Sequence, residues 1–448
     1  MKKFYPIRDP IVERTIPISE REPGINYRET VVAGNKLGEG PSKRRNGARV
    51  VLYGDSPIPV MLDKDILDRN IGVVGNSGSG KTVMLRKMAR QINDTLRPDE
   101  TLIIFDSKGD FYEDLYQPGD LVFGINAIGE ETPAGWNVFR EVAIDGPEKY
   151  EENAFEIAKN LFAERRKNTT NQFFPDSAAD LLACIILLLL YEGECRGEFP
   201  DNRLLYETCC LPSKDLLQRM RAFPQLRGVD GYIGRDSSQS DGIRGELRNI
   251  ARDLFIGAFG RPGQASVRDI IRNHPECQRI FVCYDVSYGK VLEPIFRTLC
   301  DLCIKETLRR NNRHEVWLFM DEFRLTPCMQ NIENGVSFGR GRLHLIIGLQ
   351  YIGQIRESYT ENIADGMMAN LGTLIAFRTE DAETRKMISH RFGTNRTLVQ
   401  YYAGQEKGTQ SEIRETQVVE DWNIVGLRTG QAIIGHPGEA PYRFYFRE

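Results

Sequence analysis

Hydrophobic positions along the chain follow two different patterns. Short apolar runs, each followed by a longer amphipathic stretch, predict buried strands that alternate with helices. The runs lie at 71–74, 102–105 and 121–123 in the first half of the chain, and at 279–285, 316–320, 343–349 and 373–377 in the second half. Alternating strands and helices predict a mainly parallel sheet covered by helices.

Between these halves the pattern shows helical periodicity alone. Helical stretches at 149–167, 177–191, 204–223 and 243–259 are separated by polar or glycine-rich loops. We therefore expect one α/β domain in two parts, 48–147 and 263–448, with an all-helical domain inserted at 148–262. Residues 1–47 are polar and rich in proline, which predicts an arm or linker with a short strand near 29–33. Two further strands are expected at 49–53 and 59–61.

The most apolar stretch, 181–191, is shorter than the roughly 20 residues that a membrane-spanning helix needs, so we expect a buried helix and no membrane span. The chain shows no secretory signal pattern at its start, and its nine cysteines form no paired framework. These features favour a cytoplasmic protein, or one held at the inner face of the cell membrane by a partner.

Composition narrows the functional classes. The chain has 448 residues, of which 41% are hydrophobic and 27% are charged, which is typical of a globular protein and excludes wholesale disorder. The formal net charge of −4 excludes a protein that coats nucleic acid through its overall field. Contact with nucleic acid would have to come from local basic groups, for example inside a channel.

The strongest chemical signal is a glycine-rich segment between a predicted strand and a predicted helix. It fits G-x-x-x-x-G-K-[ST] and consists of Gly75, Asn76, Ser77, Gly78, Ser79, Gly80, Lys81 and Thr82. Such a loop wraps a phosphate with backbone N–H groups at the N-terminus of a helix. Lys81 is expected to reach the β- and γ-phosphates of ATP, and the Thr82 hydroxyl to bind Mg²⁺. The strand–loop–helix context favours this over a chance match and predicts a RecA-like P-loop NTPase domain, with the helical domain inserted into it.

Two adjacent carboxylates, Asp321 and Glu322, end the apolar run at 316–320. Ligands bind at this edge of open parallel sheets, so Asp321 is expected to hold Mg²⁺ through water and Glu322 to act as general base. Gln350 ends the next run and offers an amide to the γ-phosphate and its water, although a strand often ends in Gln. Before that run lie Arg340 and Arg342, which form either a solvated turn or a finger to a neighbouring subunit's γ-phosphate.

Further segments carry a family resemblance over about residue 49 to the C-terminus. They are Ile103 to Asp110, Trp136-Asn137, Gly339 through Gln350, Gln354, Tyr359, Ala369-Asn370, Phe377-Arg378, Asp381, Phe392-Gly393 and Leu427 to Ile433. With these segments and the P-loop, the chain resembles the type IV secretion coupling proteins, the TraD/TraG/TrwB group of hexameric ATPases related to FtsK and HerA.

The resemblance implies a homo-hexameric ring with ATP between subunits, DNA in or near a central channel, and relaxosome or secretion-channel proteins as partners. It assigns Lys81, Thr82, Asp321 and Glu322 to the ATP site, Gln350 to a sensor and Arg340 to an arginine finger. The spacing from Arg340 to Gln350 is about one residue shorter than the family pattern, which leaves Arg342 as a rival finger. Most members carry N-terminal membrane helices, which we do not expect in this sequence.

Three functions fit these observations. The first is an ATP-driven motor of the coupling-protein type that recruits and moves DNA or a nucleoprotein. The second is a HerA-like soluble DNA translocase in DNA processing or defence, and the third is an adaptor that uses ATP to switch substrate recruitment. The Asp106–Lys108 segment either touches the nucleotide or forms a structural turn.

Overall fold

A computed structural model of the chain describes residues 27–124, 135–167, 169–234, 237–255, 257–273, 279–284, 289–326, 328–402 and 409–447. The first 26 residues of the predicted arm lie outside the described residues, as does the end of the predicted strand at 285.

Each predicted apolar run contains a strand, and further strands form elsewhere. They are β1 Tyr27–Ala33, β2 Gly38–Glu39, β3 Val50–Leu52, β4 Val60–Leu62, β5 Asn70–Val74, β6 Glu100–Asp106, β7 Leu121–Gly124, β8 Gly135–Trp136, β9 Gly263–Ala265, β10 Arg279–Cys283, β11 Glu315–Met320, β12 Leu343–Leu349, β13 Leu371–Phe377, β14 Thr394–Tyr402, β15 Thr409–Gln417, β16 Gln431–Gly435 and β17 Tyr442–Tyr445.

Strands from both halves of the chain interleave in one ten-stranded sheet, in the order β2-β17-β16-β13-β5-β12-β11-β6-β10-β7. All pairs from β13 to β7 are parallel, whereas β16 pairs antiparallel with both β13 and β17. The predicted α/β fold with a mainly parallel sheet is therefore confirmed. Strands β5, β6 and β12 are buried along their whole length, which explains why they appear in the sequence as continuous apolar runs.

The helices cover the sheet and fill the central region of the chain. They are α1 Lys64–Leu67, α2 Lys81–Asp94, α3 Asp110–Leu115, α4 Val138–Ala143, α5 Tyr150–Lys167, α6 Phe173–Arg196, α7 Asn202–Cys209, α8 Ser213–Met220, α9 Asp230–Ile233, α10 Ser238–Leu254, α11 Val267–Asn273, α12 Gly289–Leu308, α13 Ile332–Phe338, α14 Gly353–Ser358, α15 Glu361–Asn370, α16 Ala382–Phe392 and α17 Asp421–Val425. The helical region is thus present, and its domain limits at 148 and 262 stay a prediction.

One expected helix, at 204–223, forms as two. Helix α7 ends at Cys209 and α8 begins at Ser213, with Pro212 between them. Proline has no N–H to donate, and it disfavours helical dihedrals in the residue before it. The apolar periodicity continues through the break, so the sequence pattern alone suggested a single helix.

Helix α6 extends well beyond the predicted stretch, from Phe173 to Arg196. Its 24 residues are long and apolar enough to cross a membrane, but 78% of its apolar window is buried inside the protein. Leu182, Ile186 and Leu188 on this helix belong to one hydrophobic core that also contains Phe105 of the sheet and Phe296 of α12. The helix is therefore a core helix, as the sequence suggested.

A second sheet contains β1, which lies at the short strand predicted near 29–33, and two strands that were not predicted, β14 and β15. It has three antiparallel strands in the order β1-β14-β15. Its strand β15 carries exposed polar residues such as Ser411, Glu412 and Arg414, so no apolar run marks it in the sequence.

Candidate nucleotide site

The glycine-rich loop lies at the carboxyl edge of the parallel sheet, between β5 and α2. Gly75 has a φ of 155° and Gly80 a φ of 110°, and a Cβ on Gly75 would lie 2.6 Å from Cβ of Phe377. Glycine is needed at both positions because other residues rarely adopt these dihedrals. The loop is anchored by the Gly75 N–H, which donates to the Leu349 carbonyl at 3.0 Å.

Lys81 is held inside the loop. Its Nζ donates to the carbonyl oxygens of Gly75 and Asn76, the latter at 3.0 Å, and the side chain is buried. Burial lowers the pKa of Lys81, and the carboxylates of Glu322 and Asp321 oppose that shift. A cation in this position is suited to pair with a bound phosphate.

Asp321 and Thr82 form the oxygen-rich part of the site. The Thr82 hydroxyl lies 3.1 Å from both Oδ1 and Oδ2 of Asp321, and donates to this carboxylate. Burial raises the pKa of Asp321, an effect opposed by Lys108, whose Nζ lies 3.8 Å from Oδ2. Hydroxyl and carboxylate oxygens are ligands that Mg²⁺ prefers, so this pair fits the ion that the P-loop motif implies.

Glu322 lies beside Asp321 and is joined to the end of β12. Its Oε2 accepts a hydrogen bond from Nε2 of Gln350 at 2.7 Å, and its Oε1 accepts one from Nε2 of Gln354 at 3.4 Å. Gln354 also accepts from the Gln350 N–H at 2.9 Å. Two amides thus fix the orientation of a carboxylate that is suited to accept a proton from water.

The structure therefore brings together five residues that the sequence placed in the site: Lys81, Thr82, Asp321, Glu322 and Gln350. Sheet order explains this, since β12 lies between β5 and β11 and all three strands end at the same edge. Gln354 was not given a role, although its four-residue spacing from Gln350 could have indicated one. Lys108 adds a cation beside Asp321, whereas Asp106 has a structural role: it accepts hydrogen bonds from the N–H groups of four residues, Lys108, Gly109, Phe111 and Tyr112.

Arg340 lies elsewhere. The turn that contains it precedes β12, so it is at the amino edge of the sheet, opposite the P-loop. Its Nη2 lies 3.2 Å from Oδ1 of Asp65, and 61% of its side chain is exposed. Arg342 lies in the same turn and donates to the Arg309 carbonyl at 3.2 Å. Neither arginine faces the P-loop of its own chain.

Within the described part of the chain, no group of three or more His, Cys, Asp or Glu side chains could hold a metal ion. An ion at Thr82 and Asp321 would therefore take its remaining ligands from phosphate oxygens and water, which is usual for Mg²⁺.

Comparisons with known proteins bear on the fold of the chain. The structure resembles the bacterial conjugative coupling protein TrwBdeltaN70 in its unbound monoclinic form, with a TM-score of 0.71, 18% sequence identity, and 96% of each chain covered. It also resembles TrwB in complex with the ATP analogue ADPNP, with a TM-score of 0.69, 18% identity, and 93% and 94% of the two chains covered.

A more distant match is VirB4 of Thermoanaerobacter pseudethanolicus, with a TM-score of 0.51, 13% identity, and 91% of this chain and 98% of that chain covered. No curated protein sequence matches the chain. A family model for the type IV secretion-system coupling protein DNA-binding domain matches residues 57–425. This match covers most of the chain, which therefore belongs to the type IV secretion-system coupling protein family.

Proposed function

We propose that the protein is the ATP-hydrolysing motor of a coupling-protein system, and that it recruits and translocates DNA or a nucleoprotein. The observation that carries the proposal is the convergence of Lys81, the Thr82–Asp321 pair and the Glu322–Gln350 pair at one sheet edge. Related structures of TrwB hold ADPNP, or ADP and Mg²⁺, and the matched family is described as DNA-binding.

Each residue at this edge has a distinct proposed role. The P-loop backbone and Lys81 bind the phosphates, and Thr82 and Asp321 hold Mg²⁺, which neutralises charge on the phosphates. Glu322 accepts a proton from the attacking water, and Gln350 positions that water and senses the γ-phosphate. The two amide contacts hold Glu322 in place before the nucleotide arrives.

A ring of subunits completes the site in this proposal. Arg340 is too far from its own P-loop to serve it, because the two lie at opposite edges of the sheet. In a hexameric ring, the amino edge of one subunit faces the carboxyl edge of the next, and Arg340 or Arg342 reaches the neighbouring γ-phosphate. Relaxosome or secretion-channel proteins are the proposed further partners. The proposed location is the cytoplasm, or the inner face of the cell membrane where a partner holds the protein.

Steady-state ATP hydrolysis, measured with and without single-stranded and duplex DNA, tests the proposal. A motor is expected to hydrolyse ATP faster with one of these DNAs. The Lys81→Ala protein is the inactive control that gives the background rate of hydrolysis. A measurable rate of ATP hydrolysis that DNA does not change would favour the adaptor. The absence of hydrolysis under all conditions, with ATP bound, would contradict the motor.

A further inference from the structure

The two sides of the P-loop differ in chemistry. On one side of β5 lie β12 and β11, whose ends carry Gln350, Asp321 and Glu322. On the other side lie β13, β16 and β17. In the proposed function the γ-phosphate faces Glu322, so the α-phosphate and the nucleoside extend to the opposite side, towards the C-terminal strands.

The turn that leads into the C-terminal strands touches the P-loop at this place. The Gly430 N–H donates to the Ser79 carbonyl at 2.9 Å, and a Cβ on Gly80 would lie 3.1 Å from Cα of Gly430. The Tyr445 ring is next to this contact, because a Cβ on Gly430 would lie 3.7 Å from Cε2 of Tyr445. An aromatic ring with 40% of its surface exposed thus borders the phosphate-binding loop.

The backbone of Tyr445 is fixed in this position. Its carbonyl accepts from the Asp55 N–H at 3.1 Å, and its own N–H donates to Oδ1 of Asp55 at 3.2 Å. The next residue, Phe446, donates its N–H to the Gly430 carbonyl at 2.9 Å. These hydrogen bonds fix the backbone that carries the ring, so little backbone ordering is required when a ligand binds.

A second apolar side chain lies on the same flank. Val83 follows Gly80 by three residues and precedes Lys87 by four, so these three residues share one face of α2. Gly80 abuts Gly430, and Nζ of Lys87 donates to the Arg447 carbonyl, so this face borders the C-terminal strand. Half of the Val83 surface is exposed there.

We propose that Tyr445 and Val83 form a nucleoside shelf, on which the purine base of the nucleotide stacks against the Tyr445 ring while Val83 contacts the sugar. This inference rests on the proposed function, because it extends the same nucleotide outward from the P-loop. The shelf contacts the nucleotide through the aromatic face of its base. The shelf residues offer apolar surface, so ATP and GTP are expected to bind with similar affinity.

Equilibrium binding of ATP and of inorganic tripolyphosphate to the full chain, measured by calorimetry with Mg²⁺, separates the shelf from the P-loop. Tyr445→Ala is expected to weaken ATP binding about tenfold, since base–aromatic stacking is lost, and to leave tripolyphosphate binding unchanged. Tyr445→Phe keeps the ring and should bind ATP as the wild type does. Ile413→Ala, on β15 and also exposed, is the matched control.

The outcomes distinguish the shelf from the proposed function. If wild-type protein binds neither ATP nor tripolyphosphate, the proposed function fails. If wild-type protein binds both, and Tyr445→Ala leaves both unchanged or weakens both equally, the shelf is overturned. If Tyr445→Ala leaves both affinities unchanged, the exposed ring belongs to another surface, such as a contact between subunits. If it weakens both equally, the ring supports the P-loop itself.

Discussion

Among single side chains, Glu322 is the one on which turnover is expected to depend most directly. Glu322→Gln keeps the size of the side chain but cannot accept a proton from water. Lys81 and Thr82 remain in place, so ATP binding should persist while hydrolysis falls by about 10²- to 10⁴-fold. Single-turnover hydrolysis, together with equilibrium binding of an ATP analogue, measures the two effects separately.

A matched control for this substitution is Glu357→Gln, on the nearby helix α14. Glu357 accepts from the Tyr351 hydroxyl at 2.7 Å, and no hydrogen bond or ion pair in the described part of the chain joins it to a residue of the site. That variant should hydrolyse ATP at the wild-type rate. Normal turnover in the Glu322→Gln protein itself would remove Glu322 from the role of general base.

The sequence could predict five residues of the candidate site because each follows directly from a strand or belongs to a contiguous motif. Lys81 and Thr82 continue a recognisable loop, and Asp321, Glu322 and Gln350 end apolar runs. Contacts that depend on the path of a turn could not be found this way. Lys108 reaches Asp321 only because Asp106 folds the following residues into a tight turn, and Gln354 reaches Glu322 only because α14 begins at Gly353.

At the scale of elements, the site depends on close approach of β12 to the end of β11. A Cβ on Gly348 would lie 2.1 Å from the Asp321 carbonyl oxygen, which is closer than real atoms come. Gly348→Ala should displace the end of β11, lower the free energy of unfolding by about 1–3 kcal/mol, and reduce ATP hydrolysis. Chemical unfolding and ATPase assays of the same preparation check both effects.

Gly366→Ala provides the comparison for that variant. Gly366 lies in helix α15, where an added Cβ would meet nothing within 4 Å beyond the helix's own backbone. The protein should therefore gain stability from the better helix former. Equal stability of the Gly348→Ala protein and the wild type would show that β12 can move away from β11 without cost.

Two strands that the sequence did not predict, β14 and β15, share a physical cause. Strands β14 and β15 pair in a sheet of three strands, so part of their surface faces water and neither contains a long apolar run. The buried central strands of the main sheet left clear signals because both faces are covered. Burial on both faces therefore explains why these central strands could be predicted.

For the whole molecule, His436 makes stability depend on pH. Burial lowers its pKa from 6.5 to about 4, and its neutral ring contacts the Thr373 and Tyr442 hydroxyls at 3.2 and 3.0 Å. The unfolded chain binds the proton more tightly, so this stabilisation is present above pH 6.5 and is lost as the pH falls towards 4. Between pH 7 and pH 5 the loss is about 2 kcal/mol.

Urea unfolding of the wild type and of His436→Gln at the two pH values measures this dependence. Other groups also titrate in this range, so the difference between the two proteins is the relevant quantity. The stability of His436→Gln should fall by about 2 kcal/mol less than that of the wild type. An identical fall in both proteins would show that His436 keeps an ordinary pKa in the folded state.

In the assembled ring, we expect Arg340 of one subunit to act at the ATP site of its neighbour, and substitution of Arg340 tests this. Its contact with Asp65 joins two exposed side chains, so little energy opposes its release to a neighbour. Arg340→Ala should leave ATP binding nearly unchanged and reduce turnover by about 10³-fold or more, since the guanidinium no longer neutralises charge on the transferred phosphoryl group.

The decisive experiment mixes Arg340→Ala protein with Lys81→Ala protein. Each is expected to be inactive alone, because every site in a uniform ring lacks either the arginine or the P-loop lysine. A mixed ring contains interfaces at which an intact Lys81 of one subunit meets an intact Arg340 of the next, so part of the activity should return. Rescue by mixing Arg342→Ala protein with Lys81→Ala protein, where Arg340→Ala gives none, would assign the finger to Arg342.

If mixed rings are shown to form and neither mixture regains activity, either the arginines do not act between subunits or turnover requires every site of the ring. Titrating a small fraction of Lys81→Ala protein into the wild type separates these two outcomes, because only a ring that needs all its sites loses activity faster than in proportion to the mutant fraction.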